Sequence, residues 1–196
     1  MGGTELTTWQ LTESGESVLR RVSPLGAAPY DASDHDAIQA AVVSCATLVE
    51  AHVDRVIKCL FAADDAMTFP LARVLHAEIE DSIFRTWDAR RKWLASAFGI
   101  NISGDRENQQ FDAVIGLRNS IVHGDGSLTD LQIGNVKDLF RWKEQFARVL
   151  SAKVSGRRIT LTPEVAVKAA IISRDFVLHF DRILLATFPT LTVLAS

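Results

Sequence analysis

Apolar residues recur at three- and four-residue intervals along most of this chain, a spacing that predicts helices rather than strands. Ile38, Val42, Cys45, Val49, Val53, Val56 and Leu60 make the first stripe. Ser33 precedes it as an N-cap, and Asp34 and Asp36 suit the positive end of a helix dipole. Leu71, Leu75, Ile79, Ile83, Trp87 and Leu94 predict a second helix from Pro70 to about Phe98. Proline fits its first turn because the missing N–H would be unpaired there anyway. A third helix is expected after a cap at Asp105, with Phe111, Val114, Ile115, Leu117, Ile121 and Val122 on its apolar face. Thr129 and Gln132 have capping-box spacing and predict a fourth, carrying Val136, Leu139, Phe140, Phe146, Val149 and Leu150. Thr162-Pro163-Glu164 opens the last helix, which runs to Phe188 before Pro189.

The pieces between these stripes set the expected architecture. Residues 1–32, rich in Gly, Thr, Ser and Pro, read as an irregular N-terminal arm. Residues 33–196 read as one all-α domain, an antiparallel bundle of about five helices joined mostly by short connections. Arg157 to Leu161 alternates in polarity and predicts a short strand or extended chain.

Composition narrows the function classes. Hydrophobic residues make up 47% of the 196, which describes a chain with a core rather than a disordered one. A net charge of −3 argues against coating nucleic acid through bulk charge, so any RNA site must be local. No stretch offers about 18 uncharged apolar residues, so no membrane partner is expected. Cys45 and Cys59 fall in one predicted helix, roughly 21 Å apart along its axis, too far to bridge. They read as thiols of a reduced, cytoplasmic protein. No Cys/His spacing supports a metal.

The chemistry concentrates in Leu117-Arg118-Asn119-Ser120-Ile121-Val122-His123-Gly124-Asp125-Gly126. Arginine neutralises phosphate, and imidazole moves protons near neutral pH. Metal-free RNA cleavage needs a base for the 2′-hydroxyl, an acid for the leaving oxygen, and positive charge on the phosphorane. His123 supplies the proton carrier, Arg118 the phosphate clamp, and Asn119 a group that orients the imidazole or holds a phosphate oxygen. Arg118 lies about 140° round an ideal helix from His123, so convergence requires loosening near Val122 or a second subunit. The same residues also suit a plain helix end, with His123 complementing the dipole and Gly124 as the left-handed terminating residue.

An arginine with a polar neighbour, then a histidine after four intervening residues, resembles the signature of HEPN domains, small α-helical proteins of which many are RNA-cutting toxins or defence nucleases. The resemblance implies a metal-independent endoribonuclease without cofactor, acting on RNA in a toxin–antitoxin or phage-defence setting, with an antitoxin protein as a further partner. It also implies a homodimer with the motifs facing each other, which would supply two histidines for separate acid and base roles. A non-catalytic helical module that binds nucleotide, RNA or a protein is the rival expectation.

Other candidates are secondary. Arg85, Arg90, Arg91 and Lys92, interleaved with Trp87 and Trp93, either track an RNA strand or form a cationic helix end with Trp87 buried. His52 and His179 lie near apolar stripes and read as packing histidines. His76 with Glu80 has metal-ligand spacing but no second such element.

Overall fold

The stripe from Ile38 to Leu60 lies on the longest helix of the chain, and the other elements assemble around it. The computed structural model describes residues 10–195, so residues 1–9 of the expected arm lie outside it. The helices are α1 (Glu13–Ala27), α2 (His35–Ala63), α3 (Pro70–Phe84), α4 (Trp87–Phe98), α5 (Arg106–Gly124), α6 (Val136–Leu150) and α7 (Pro163–Thr187). A 3-10 turn at Asp65–Thr68 precedes α3, and an antiparallel hairpin of β1 (Lys153–Ser155) and β2 (Arg158–Thr160) joins α6 to α7. The fold is an all-α bundle. None of its helices, among the described residues, is long and apolar enough to cross a membrane.

α2, α5 and α7 carry the core, and their facing side chains are sealed from solvent. Phe111 stacks on Phe176 with centroids 4.8 Å apart, Phe176 stacks on Phe180 at 5.8 Å, and Trp87 meets Phe111 edge-on at 5.0 Å. Such offset and edge-on pairs add stabilisation beyond the burial of their area.

The cap of α2 is Asp34, whose Oδ1 accepts from Ala37 N at 3.0 Å, and not the expected Ser33. Three further expectations are corrected. The N-terminal arm is not irregular over residues 13–27, where α1 packs on α7 and α2 and buries Val18 and Val22. Its own propensity is poor, with Ser14, Gly15 and an internal Pro24, so tertiary contact has to hold it. Second, the helix expected from Pro70 to Phe98 breaks at Arg85 and Thr86. Thr86 turns extended and its hydroxyl accepts from Ala89 N at 3.1 Å, capping a new helix. Third, the fourth helix starts at Val136, capped by Asn135, which accepts from Asp138 N at 3.1 Å. The Thr129–Gln132 pair instead closes a turn, with Gln132 Oε1 accepting from Thr129 N at 2.9 Å.

α1 is fastened by a buried polar cluster. Asp181 on α7 is 0% exposed, and its Oδ2 accepts from Thr12 N at 2.8 Å and Thr12 Oγ1 at 2.9 Å. Its Oδ1 lies 2.9 Å from His52 Nε2, and His52 Nδ1 lies 3.0 Å from Ser14 Oγ. A carboxylate only accepts, so Nε2 is the His52 atom that donates to it, while Nδ1 shares a hydrogen bond with the serine hydroxyl. His52 is therefore a satisfied buried histidine. Gly15 is required by close approach, because a Cβ there would overlap Asp181 Oδ2.

Gly15→Ala is expected to lower the unfolding free energy in urea by about 1–3 kcal/mol, the usual cost of overpacking. Unchanged stability would mean that α1 does not sit against Asp181.

Candidate active site

α5 reaches the motif as a regular helix and then stops abruptly. The helix persists through Gly124, Asp125 takes the left-handed conformation (φ 47°), and Gly126 follows at φ 75°. The N–H groups of Asp125 and Gly126 both donate to Ser120 O, the latter at 3.0 Å. Two expectations change here. The left-handed terminating residue is Asp125 rather than Gly124, which is tolerable because a short polar side chain accepts this region better than most. Neither does the helix loosen near Val122.

Arg118, Asn119 and His123 nevertheless open on one groove of about 870 Å³. Asp112, Ile115, Gly116, Asn119 and His123 form one stripe of α5 along the groove, and Arg118, about 100° round from Asn119, reaches it from beside that stripe. Glu50 of α2 forms one wall, with Arg85 to Asp88 and Arg91 at the start of α4. The turn from Thr129 to Gln132 and the α6 residues Arg141, Trp142 and Gln145 form the other.

That second wall is tied down by ordinary polar chemistry. Gln132 Nε2 donates to Gly116 O at 2.8 Å and its Oε1 accepts from Ser120 Oγ at 3.0 Å, pinning the turn to α5. The hairpin holds it from behind, with Leu128 N donating to Arg157 O at 2.8 Å and Ile159 N to Gly126 O at 2.9 Å. Gly116 lets the Trp142 indole lie directly on α5, since a Cβ there would overlap the ring.

The arginines differ in how free they are. Arg118 Nη1 donates to Asn119 Oδ1 at 3.0 Å, and Nη2 stands 3.9 Å from Glu50 Oε2, beyond hydrogen-bond range. Its Nε is buried without a hydrogen-bond partner among the described residues. Arg91 is committed, donating to Asp112 Oδ2 at 3.0 Å and pairing with Asp88. Arg141 stands 3.3 Å from Asp138 and lies over the Trp142 ring, 5.8 Å from its centroid. His123 is exposed and has no hydrogen bond or ion pair among the described residues.

Burial raises the Glu50 carboxyl above its usual range, with the charges of Arg118 and Arg90 opposing the rise. Burial also raises Asp112, opposed by Arg91. The groove lining holds four arginines (85, 91, 118, 141) against four carboxylates (Glu50, Asp88, Asp112, Asp130). Its charge is therefore close to balanced.

The basic stretch of α4 divides. Arg90 is 7% exposed and grips Asp54 with two bonds, Nε to Oδ1 at 2.5 Å and Nη2 to Oδ2 at 3.0 Å, so it braces α4 against α2. Arg91 lines the groove, whereas Lys92 is exposed and does not. The break at Thr86 puts these cations in the first turns of α4 rather than at a helix C-terminus. Trp87 is buried, as expected. His76 packs on the Phe61 ring with centroids 4.4 Å apart, and His179 Nε2 lies 2.8 Å from Asp105 Oδ2. Glu50, Asp112, Arg141 and Trp142 escaped the sequence reading because only tertiary packing brings them together.

Comparison with protein-family models, with curated proteins and with solved structures finds no match for this chain.

The raised Glu50 carboxyl fixes the sign of a pH effect. Its folded form binds a proton more tightly than its unfolded form, so native stability from this group falls as pH rises from about 4.5 through the raised value. Glu50→Gln removes that slope. The stability of the variant relative to the native chain should rise between pH 4 and pH 7 in urea titrations. A difference that stays flat, or falls with pH, would contradict the burial of Glu50 as a carboxylate.

Proposed function

We propose that this chain is a metal-independent endoribonuclease of the HEPN kind, a toxin or defence effector of the cytoplasm that cuts RNA by transesterification. The observation that carries this reading is the meeting of Arg118, Asn119 and an unpartnered His123 on one groove. In the step, the 2′-oxygen bonds to the adjacent phosphorus and the bond from phosphorus to the 5′-oxygen breaks. The proton leaves the 2′-hydroxyl for an imidazole, and a proton from an imidazole reaches the departing 5′-oxygen. His123 is the group that moves these protons. Arg118 holds a non-bridging oxygen through the guanidinium edge that carries Nη2, the nitrogen that now faces Glu50 without a hydrogen bond. Asn119 holds Arg118 from the other side. A two-fold dimer with the α5 ends facing would place a second His123 across the same phosphate, and an antitoxin protein would close the groove.

One observation favours a second reading, a helical module that binds nucleotide or RNA without cutting it. The carboxylates of the lining match its arginines in number, and Arg91 already has two partners. Phosphate at Arg91 must then displace internal ion pairs.

Incubation of the purified chain with total RNA in EDTA separates the two. Cleavage is expected to persist, and DNA, which lacks the 2′-hydroxyl, to remain intact. His123→Ala should stay folded, because the side chain is exposed and unbonded, yet cut roughly 10²–10⁴-fold more slowly. Arg118→Ala should fall in the same range, and Asn119→Ala should be milder. Activity lost in EDTA and restored by Mg²⁺ or Mn²⁺ would overturn the mechanism, while RNA retained but uncut would favour the binding module.

A further inference from the structure

The α6 wall of the groove carries an aromatic ring that packing leaves half-covered. Trp142 stands on Gly116 of α5, and the buried Phe146 ring lies 5.2 Å away, tilted at 50°. The indole itself is only half-buried and lines the groove. Over it lies the guanidinium of Arg141, 5.8 Å from the ring centroid, on a side chain 64% exposed. Arg141 is otherwise paired with Asp138 at 3.3 Å, a contact between helical neighbours that contributes little. The ring face beneath Arg141 is therefore covered only by an exposed side chain that lifts away at low cost.

Position along α5 puts this ring beside the motif. Gly116 precedes Asn119 by about 4.5 Å along the axis and lies about 60° round it. His123 lies about 10.5 Å along and about 20° round. Trp142 thus flanks the place where Arg118 and His123 would act, on the side away from the helix end.

Charge favours the same wall. Residues 136–168 hold eight lysines and arginines against three carboxylates, in a chain whose net charge is −3. On α6, Lys137, Arg141 and Arg148 fall within about 40° of one another, with Glu144 among them. Lys137, Glu144 and Arg148 are exposed and have no ion pair among the described residues. Arg141 lines the groove, and Lys137 and Arg148 continue its stripe along the helix.

An open ring next to a phosphate clamp matches the two halves of a nucleotide, a flat base and an anion. Stacking on a side chain needs an unpaired base, which selects single-stranded RNA over a duplex. We propose that Trp142 is the stacking platform for an unpaired nucleobase next to the scissile phosphate, with Arg141 folded over that base and the α6 cations holding the strand beyond it. This rests on the reading of the groove as an RNA site, and holds whether the RNA is cut or only bound.

The test pairs a change in the protein with a change in the RNA. The full chain carrying His123→Ala, which removes cutting, is titrated into a labelled RNA of about six nucleotides, near the lower end of single-strand site sizes. Sister RNAs carry one abasic nucleotide, moved a position at a time, and binding is read by fluorescence anisotropy. At one position, base removal is expected to weaken binding by about 5–150-fold, the range of a stacked base. Trp142→Leu should weaken the intact RNA by a similar factor, and should then be indifferent to base removal at that position. Trp142→Phe keeps a smaller ring, so it should lose less and show a reduced abasic penalty; it carries the test if the leucine variant does not fold. Annealing the RNA to its complement should abolish the dependence on Trp142. Losses from the Trp142 variants that add independently to the abasic loss, or no position sensitive to base removal, would overturn the proposal while cleavage by the native chain stands or falls by its own assay. No RNA binding at all would overturn both readings.

Discussion

Asp181 is a carboxylate sealed from solvent, and α1, α2 and α7 are arranged around satisfying it. Three donors reach it, two from Thr12 and one from His52. Leaving such a group unpaired would cost several kcal/mol, so α1 cannot leave without a large penalty. The cluster also fixes α2, whose opposite side serves the groove. Glu50 is two residues before His52, about 200° round the helix, and stands between Arg90 and Arg118 at 3.7 and 3.9 Å. Anchoring α2 against α1 and α7 thus sets the position of the acid that faces the motif arginine.

The groove is built from balanced charges rather than a basic field. Arg118 is held loosely, by one neighbouring carboxamide and a carboxylate beyond hydrogen-bond range, whereas Arg91 is fully engaged. Arg118 is therefore freer than Arg91 to transfer its guanidinium to an incoming phosphate. The balance within the groove fits a chain whose net charge is only −3. Neutral surroundings lower the contribution of long-range steering, and recognition must come from contact.

The parts legible in the sequence were those that local patterning determines. The α2 stripe, the end of α5 at the glycines and the Thr162-Pro163-Glu164 start of α7 all follow from periodicity and capping, and the structure keeps them. α1 was hidden because Gly15 and Pro24 look like loop residues until Asp181, far along the chain, is known to sit against Gly15. The break at Thr86 was hidden because the apolar spacing runs on across it, although Thr86 and Asp88 are a cap and a first-turn acid in retrospect. Leu71 and Leu75 carried core spacing yet face outward, since periodicity identifies a face but not what covers it. Arg118, Asn119 and His123 were legible as a set. Their companions Glu50, Asp112, Arg141 and Trp142 were not, because no spacing rule links α2, α4, α5 and α6.

In the proposed mechanism, His123 and Arg118 drive attack by the RNA's own 2′-hydroxyl. The most direct measurement is end-group analysis of a short RNA cut by the chain, alongside the same RNA with a single 2′-deoxy substitution at the scissile nucleotide. A 2′,3′-cyclic phosphate on the upstream fragment and no cut at the substituted site are expected. Cleavage of the deoxy-substituted RNA, or an upstream fragment that ends in a free 3′-hydroxyl, would contradict it.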